Sequence, residues 1–151
     1  MNIEIIFEEV KKSFPEIKAK LKSFNSQSFM ASRPFGNYIF YDKRQLNKYK
    51  FSKLALRGIL AHELAHKIQA KKAGFIEKIM VFTHQKFRLF DNPNKKRELE
   101  READTIAVKM GFGKELIQAI KESKDNFDKE RFIKFKKTRL SIKEIKELMG
   151  K

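Results

Sequence analysis

The stretch from Ser52 to Gly74 constrains the fold most, because it reads as one uninterrupted helix with two defined faces. Ser52 is a good N-cap, Gly74 a natural residue just past a helix end, and Leu56, Ile59, Leu60, Leu64 and Ile68 recur at helical spacing between them. The spacing predicts a helix over Lys53 to Ala73. Projected at 3.6 residues per turn, Leu56, Leu60 and Leu64 form a stripe to be buried, while Ile59, His62, His66 and Gln69 form a neighbouring strip suited to the floor of a cleft.

That second strip carries chemistry. His62-Glu63-Leu64-Ala65-His66 places two imidazoles one turn apart, so both can reach one metal ion, and the intervening Glu63 is close enough to act as a base on metal-activated water. The chain has three histidines, and two of them fall in this pentad. The alternative is a core helix that happens to carry two histidines, whose ring nitrogens would then need other partners.

A catalytic zinc takes three protein ligands and keeps a position for water, so a third ligand is expected. Arg97-Glu98-Leu99-Glu100-Arg101-Glu102-Ala103-Asp104 belongs to a second helix, starting near Pro93 after Asn92 and ending at Gly111. Leu99, Ala103, Ile106, Ala107 and Met110 give it a packing stripe, with Glu100 and Asp104 one turn apart on an adjoining strip. Glu100 is the best-placed third ligand, and Asp104 can take the second ring N–H of a ligating histidine. Glu98 and Glu102 are the alternatives to Glu100, although Glu102 projects about 160° away from it on the helical wheel.

The pentad followed by a helix carrying Glu100 and Asp104 as Glu-x-x-x-Asp resembles the gluzincin clan of zinc metallopeptidases, and the chain is most similar to its small members, the minigluzincins. Residues 36 to 112 carry the likeness. It implies one zinc held by His62, His66 and Glu100, Glu63 as general base, Asp104 beside a ligating histidine, and peptide or protein substrates. It also implies a strand upstream of the metal helix that accepts an extended peptide through its backbone, for which Tyr38, Ile39, Phe40 and Tyr41 are the candidates, with an ordinary sheet strand covering the core as the alternative. Larger members use a tyrosine or histidine to stabilise the oxyanion. His84, between the two helices, is the remaining histidine and the candidate for that role, with a packing or surface role as its alternative.

The expected fold is α+β, a minimal zincin-like architecture in which a small twisted, mostly antiparallel sheet accompanies an active-site helix and a glutamate-bearing helix. Phe29-Met30-Ala31 and Tyr38 to Tyr41 are β-prone runs around the turn residues Arg33-Pro34-Phe35-Gly36-Asn37, which suggests a hairpin. Further strands are expected over Lys78 to Thr83 and near Phe87 to Phe90. From Ile3 to about Phe24 the apolar residues Ile3, Ile6, Phe7, Val10, Phe14, Ile17, Leu21 and Phe24 suit an amphipathic helix, kinked or broken at Pro15, and Glu4, Glu8 and Glu9 make a signal peptide a poor description. Lys114 to Ser123 reads as a helix, and Ser141 with Glu144 as a capping box for a last one. The 151 residues, 15 of them phenylalanine, suit one domain: an N-terminal helical segment (1–24), a catalytic core (25–112) and a C-terminal helical extension (113–151).

Composition narrows the chemistry. Without cysteine there are no disulfides and no thiolate zinc sites, leaving histidine and carboxylate as ligands and a cytoplasmic location as the simplest expectation. No apolar run reaches the roughly 18 residues of a membrane span. A net charge of +16 favours acidic surfaces or nucleic acid, and Phe132-Ile133-Lys134-Phe135-Lys136-Lys137 interleaves aromatics with lysines, so a basic nucleic-acid-binding or regulatory protein with a structural or inactive metal site is the rival reading. A latent zymogen is a third expectation: the residues after Gly113 or the N-terminal helix would cover the cleft, with Asp125 and Asp128 as candidate side chains on the metal.

Overall fold

The computed structural model describes residues 2–25, 29–33, 35–73 and 92–150. Gly74, His84 and the strands expected over Lys78 to Thr83 and Phe87 to Phe90 lie outside these residues.

Helix α1 (Ile3–Lys11) starts at Asn2, whose side chain accepts from the Glu4 and Ile5 amides, and buries Ile3, Ile6, Phe7 and Val10. It stops well before Phe24. The helix expected to kink or break at Pro15 ends before it, and beyond Pro15 the chain turns and enters strand β1 (Lys20–Ser23), so the residues up to Phe24 do not resume the helix. Ile17 and Ala19 are buried and Leu21 half-buried, while Lys18, Lys20 and Lys22 are exposed, so the segment follows the period of two of a strand with one wet face.

Strands β2 (Met30–Ser32) and β3 (Tyr38–Tyr41) form the expected antiparallel pair, with Met30 opposite Tyr41 and Ser32 opposite Ile39. Gly36 provides the positive φ (77°) of the intervening turn, where a side chain would be strained. The third strand is β1, which pairs with β3 in parallel from Lys20 opposite Tyr38 to Ser23 opposite Tyr41. The fold is α+β as expected, but among the described residues the sheet is mixed, in the order β1-β3-β2, rather than mostly antiparallel.

A short helix α2 (Lys43–Lys48) leads to α3 (Lys53–Lys72), which packs against α1, β2 and the helices that begin at Pro93 and Gly113. Ser52 caps α3 by accepting from the Ala55 amide, and its own N–H and Oγ donate to the Glu122 carboxylate at 2.7 and 2.6 Å. The stripe Leu56, Leu60 and Leu64 is fully buried. Gly58 lets helix α5 (Gly113–Asn126) approach closely: a Cβ there would overlap the Glu115 carbonyl group.

Helix α4 (Pro93–Lys109) begins at the Asn92 cap with proline in its first turn and buries Ala103 and Ala107; Gly111 ends it with φ 91°. Helices α6 (Lys129–Thr138) and α7 (Ile142–Met149) follow α5, and Ser141 and Glu144 form the expected capping box. The residues after 113 are not an appendage. Leu116, Ala119, Leu140 and Ile145 are buried in the same apolar cluster as Phe7, Ile39 and Leu60. No described helix is long and apolar enough to cross a membrane.

Candidate metal centre

Packing of α4 against α3 brings the two predicted strips together, and each histidine acquires a separate orienting partner. His62 Nδ1 is 2.9 Å from Asp104 Oδ1. Asp104 is held well below the usual carboxylate range; burial opposes this, but the positive charges of Arg139 and His62 outweigh it. An ionised carboxylate only accepts, so Nδ1 carries the proton of this pair, and Nε2 is the nitrogen that faces Glu100 and would ligate a metal on losing its own proton.

His66 is oriented from its own helix. Its Nδ1 lies 2.7 Å from Gln69 Oε1, while the Gln69 amide nitrogen donates to the Leu99 carbonyl and the Glu102 carboxylate, both at 2.8 Å. With the NH2 group committed to two acceptors, Gln69 turns its oxygen to the ring, so Nδ1 again carries the proton and Nε2 is bare.

The two Nε2 atoms are 3.1 Å apart, and Glu100 sets its oxygens 3.2 Å from that of His62 and 3.7 Å from that of His66. Ligands about 2.1 Å from a tetrahedral ion stand about 3.4 Å from one another, so the spacing suits a small divalent cation. One ligand atom from each of His62, His66 and Glu100 lies within 4.8 Å of the others, a group that could hold a metal ion. Two ring nitrogens and a carboxylate facing one another suit a single cation, either a proton shared among them or a metal ion in its place.

The charges agree. Burial and the Arg139 charge push the His62 imidazole down, yet hydrogen bonds to Asp104 and Glu100 and the Asp104 charge prevail and raise it to about 9. Burial pushes the Glu100 carboxyl up, but His62, His66 and Arg139 overcome it and bring it down to about 2. His66 is lowered, first by burial and then by the neighbouring His62 charge. The centre therefore attracts one positive charge, and a proton and a metal ion would compete for the same His62 nitrogen.

Of the alternatives to Glu100, Glu102 is spent on Gln69 and Glu98 pairs with Lys95 on the exposed face of α4. Glu63 is half-buried and makes no hydrogen bond or ion pair among the described residues. Asp128 caps α6 through the Arg131 amide and Asp125 is exposed; neither joins the metal group. Tyr38 to Tyr41 cannot be the peptide-accepting strand, because β3 is central and both of its edges are hydrogen-bonded.

Three side chains escaped the sequence reading. Gln69 stood on the cleft strip without a role, although its place three residues after His66 puts it within reach of that ring. Lys67 falls on the buried stripe, three residues after Leu64, and such a position demands partners: its Nζ donates to the Arg33 and Gly36 carbonyls at 2.6 and 2.9 Å, tying α3 to the β2–β3 turn. Burial brings this ammonium down to about 8. Arg139, the third, binds Asp104 from the far end of the chain, where no local spacing could reveal it.

The aromatic residues of the basic segment are engaged in packing. Phe135 meets Phe127 edge-on at 5.8 Å and stacks with Phe132 at 6.3 Å, and Arg139 lies over its ring, whereas Lys129, Lys134, Lys136 and Lys137 are exposed.

Comparison with known protein families, curated proteins and solved structures finds no match. The fold and the centre define an α+β protein with a His–His–Glu group that could hold a metal ion.

Proposed function

We propose that the chain is a zinc-dependent endopeptidase of the gluzincin type, with His62, His66 and Glu100 as ligands and Glu63 as general base. The observation that carries this reading is the convergence of two histidine Nε2 atoms and one carboxylate, each histidine held through Nδ1 by its own partner. Three protein ligands leave room for water or substrate, as catalytic zinc sites require. Zinc bound there would lower the pKa of a water molecule and polarise a scissile carbonyl. Glu63, one residue after the first ligand and with no hydrogen bond or ion pair among the described residues, would take a proton from the attacking water and return it to the leaving amine. Asp104 and Gln69 keep the imidazoles fixed throughout.

For the peptide-docking edge the reading moves from β3 to β2. Strand β2 packs against α3, has a neighbour on one side only among the described residues, and has its following turn tied down by Lys67. The exposed lysines of α6 would draw acidic substrates toward the protein; with Phe132 and Phe135 engaged in packing, little there supports base stacking.

The test is zinc stoichiometry together with cleavage of a peptide library by wild type and Glu63→Gln. One zinc per chain in both proteins, with turnover reduced about 100-fold or more in the variant, is the expected result. Wild-type turnover by Glu63→Gln would remove the assigned base, and a wild type that takes up no zinc would remove the metal reading.

A further inference from the structure

We infer that Arg139 is a positioning residue of the metal centre, acting through Asp104 to hold His62 with its Nε2 turned toward the ion. The inference rests on the centre being a metal site, though not on its being a peptidase.

Asp104 is fully buried, and its carboxylate is held mainly from outside the two metal helices. Arg139 Nε bonds both oxygens, at 3.0 Å to Oδ1 and 2.9 Å to Oδ2, and Arg139 Nη2 adds a contact to Oδ1 at 2.6 Å. The Leu140 amide donates to Oδ2 at 3.0 Å. Of these partners only His62 belongs to the centre, and it takes Oδ1 alone. The guanidinium fork thus fixes the plane of the carboxylate, which a single imidazole N–H cannot do.

Arg139 is itself anchored. Its guanidinium lies over Phe135 at 5.0 Å, and its carbonyl accepts from Arg101 Nη1 at 3.2 Å. Arg101 also pairs with Glu144, which closes the capping box of α7. A chain of contacts therefore runs from the last helix through Arg101, Arg139 and Asp104 to His62. Gln69, by contrast, orients His66 from α3 and α4 alone. The two ligands depend on different parts of the molecule.

Two effects of Arg139 oppose each other. Its positive charge near His62 disfavours a second cation, whereas its hold on Asp104 favours ligation. Loss of an outer partner of a ligating histidine typically weakens metal binding about 10- to 100-fold, and the repulsion subtracts from that, so a net loss near the lower limit is expected.

The experiment compares Arg139→Met, which keeps the apolar stem without the guanidinium, and Arg139→Lys, which keeps the charge without the fork, each alone and combined with Asp104→Asn. Zinc affinity is read by chelator competition. The hydrogen-bonded His62 Nδ1–H is read in the metal-free protein as a downfield proton resonance, assigned by its upfield shift or loss in Asp104→Asn, whose neutral amide oxygen is the weaker acceptor. Arg139→Met should bind zinc about tenfold more weakly and lose or shift that resonance, and should add about twofold or less once Asp104 is Asn. Arg139→Lys should behave like the methionine variant and serves in its place if that variant does not fold. Unchanged or tighter zinc binding with an unmoved resonance, or penalties that multiply in the double variant, would overturn the inference. If wild type binds no zinc, the proposed function fails, and the resonance still decides whether Arg139 positions His62.

Discussion

Replacing Gln69 by methionine tests the centre where its geometry is most explicit. The variant keeps the length and apolar stem of the side chain but removes the oxygen 2.7 Å from His66 Nδ1 and the amide that bridges Leu99 and Glu102. Metal-free stability should fall by about 1–3 kcal/mol, since three hydrogen bonds worth about 1 kcal/mol each are lost and one of them ends on the exposed Glu102. The functional loss is separate: His66 becomes free to place its proton on Nε2, and zinc affinity should fall about tenfold or more. At a zinc concentration 100 times the wild-type Kd, binding stabilises the folded state by about 2.7 kcal/mol, and a tenfold weaker site reduces this to about 1.4 kcal/mol. Urea titrations with and without zinc measure both quantities. A variant with lower metal-free stability but an undiminished zinc increment would show that Gln69 braces two helices and does not set the tautomer.

Other substitutions follow from the same contacts. Glu100→Ala should abolish stoichiometric zinc uptake in a direct titration, whereas Glu102→Ala, which leaves Gln69 its bond to the Leu99 carbonyl, should change the affinity by about threefold or less; equal effects would make the two glutamates interchangeable. Gly58→Ala should destabilise the fold by about 1–3 kcal/mol in urea, because the new Cβ meets backbone atoms of Glu115 and Leu116 that cannot swing aside, an overlap that outweighs alanine's better helix propensity. A more stable Gly58→Ala would refute the close approach of α3 and α5.

What the sequence determined by itself is what short-range periodicity and local hydrogen bonding control. The limits of α3, the caps at Ser52 and Asn92, the stop at Gly111, the Ser141–Glu144 capping box and the presence of His62, His66, Glu100 and Asp104 on two helix faces all follow from spacings of three, four or seven residues. The Glu102 alternative was disfavoured by the same arithmetic, and the structure finds that side chain on Gln69. The segment after Pro15 shows how local reading fails. Its apolar residues fit a helix when counted from Ile3, but the alternation of Ile17, Ala19 and Leu21 with lysines fits a strand, and pairing with β3 decided between them. Strand order was equally out of reach: β1 inserts no residue between β2 and β3, yet takes the far edge of β3 and so closes the strand that seemed ready to bind peptide. Arg139 is the extreme case. It lies 35 residues beyond Asp104, and only the folding of α6 and α7 back onto α4 brings its guanidinium to that carboxylate. Helix periodicity places ligands on a face because the backbone repeats every 3.6 residues; the choice of partner across the core depends on how separate faces pack, and no local repeat encodes that.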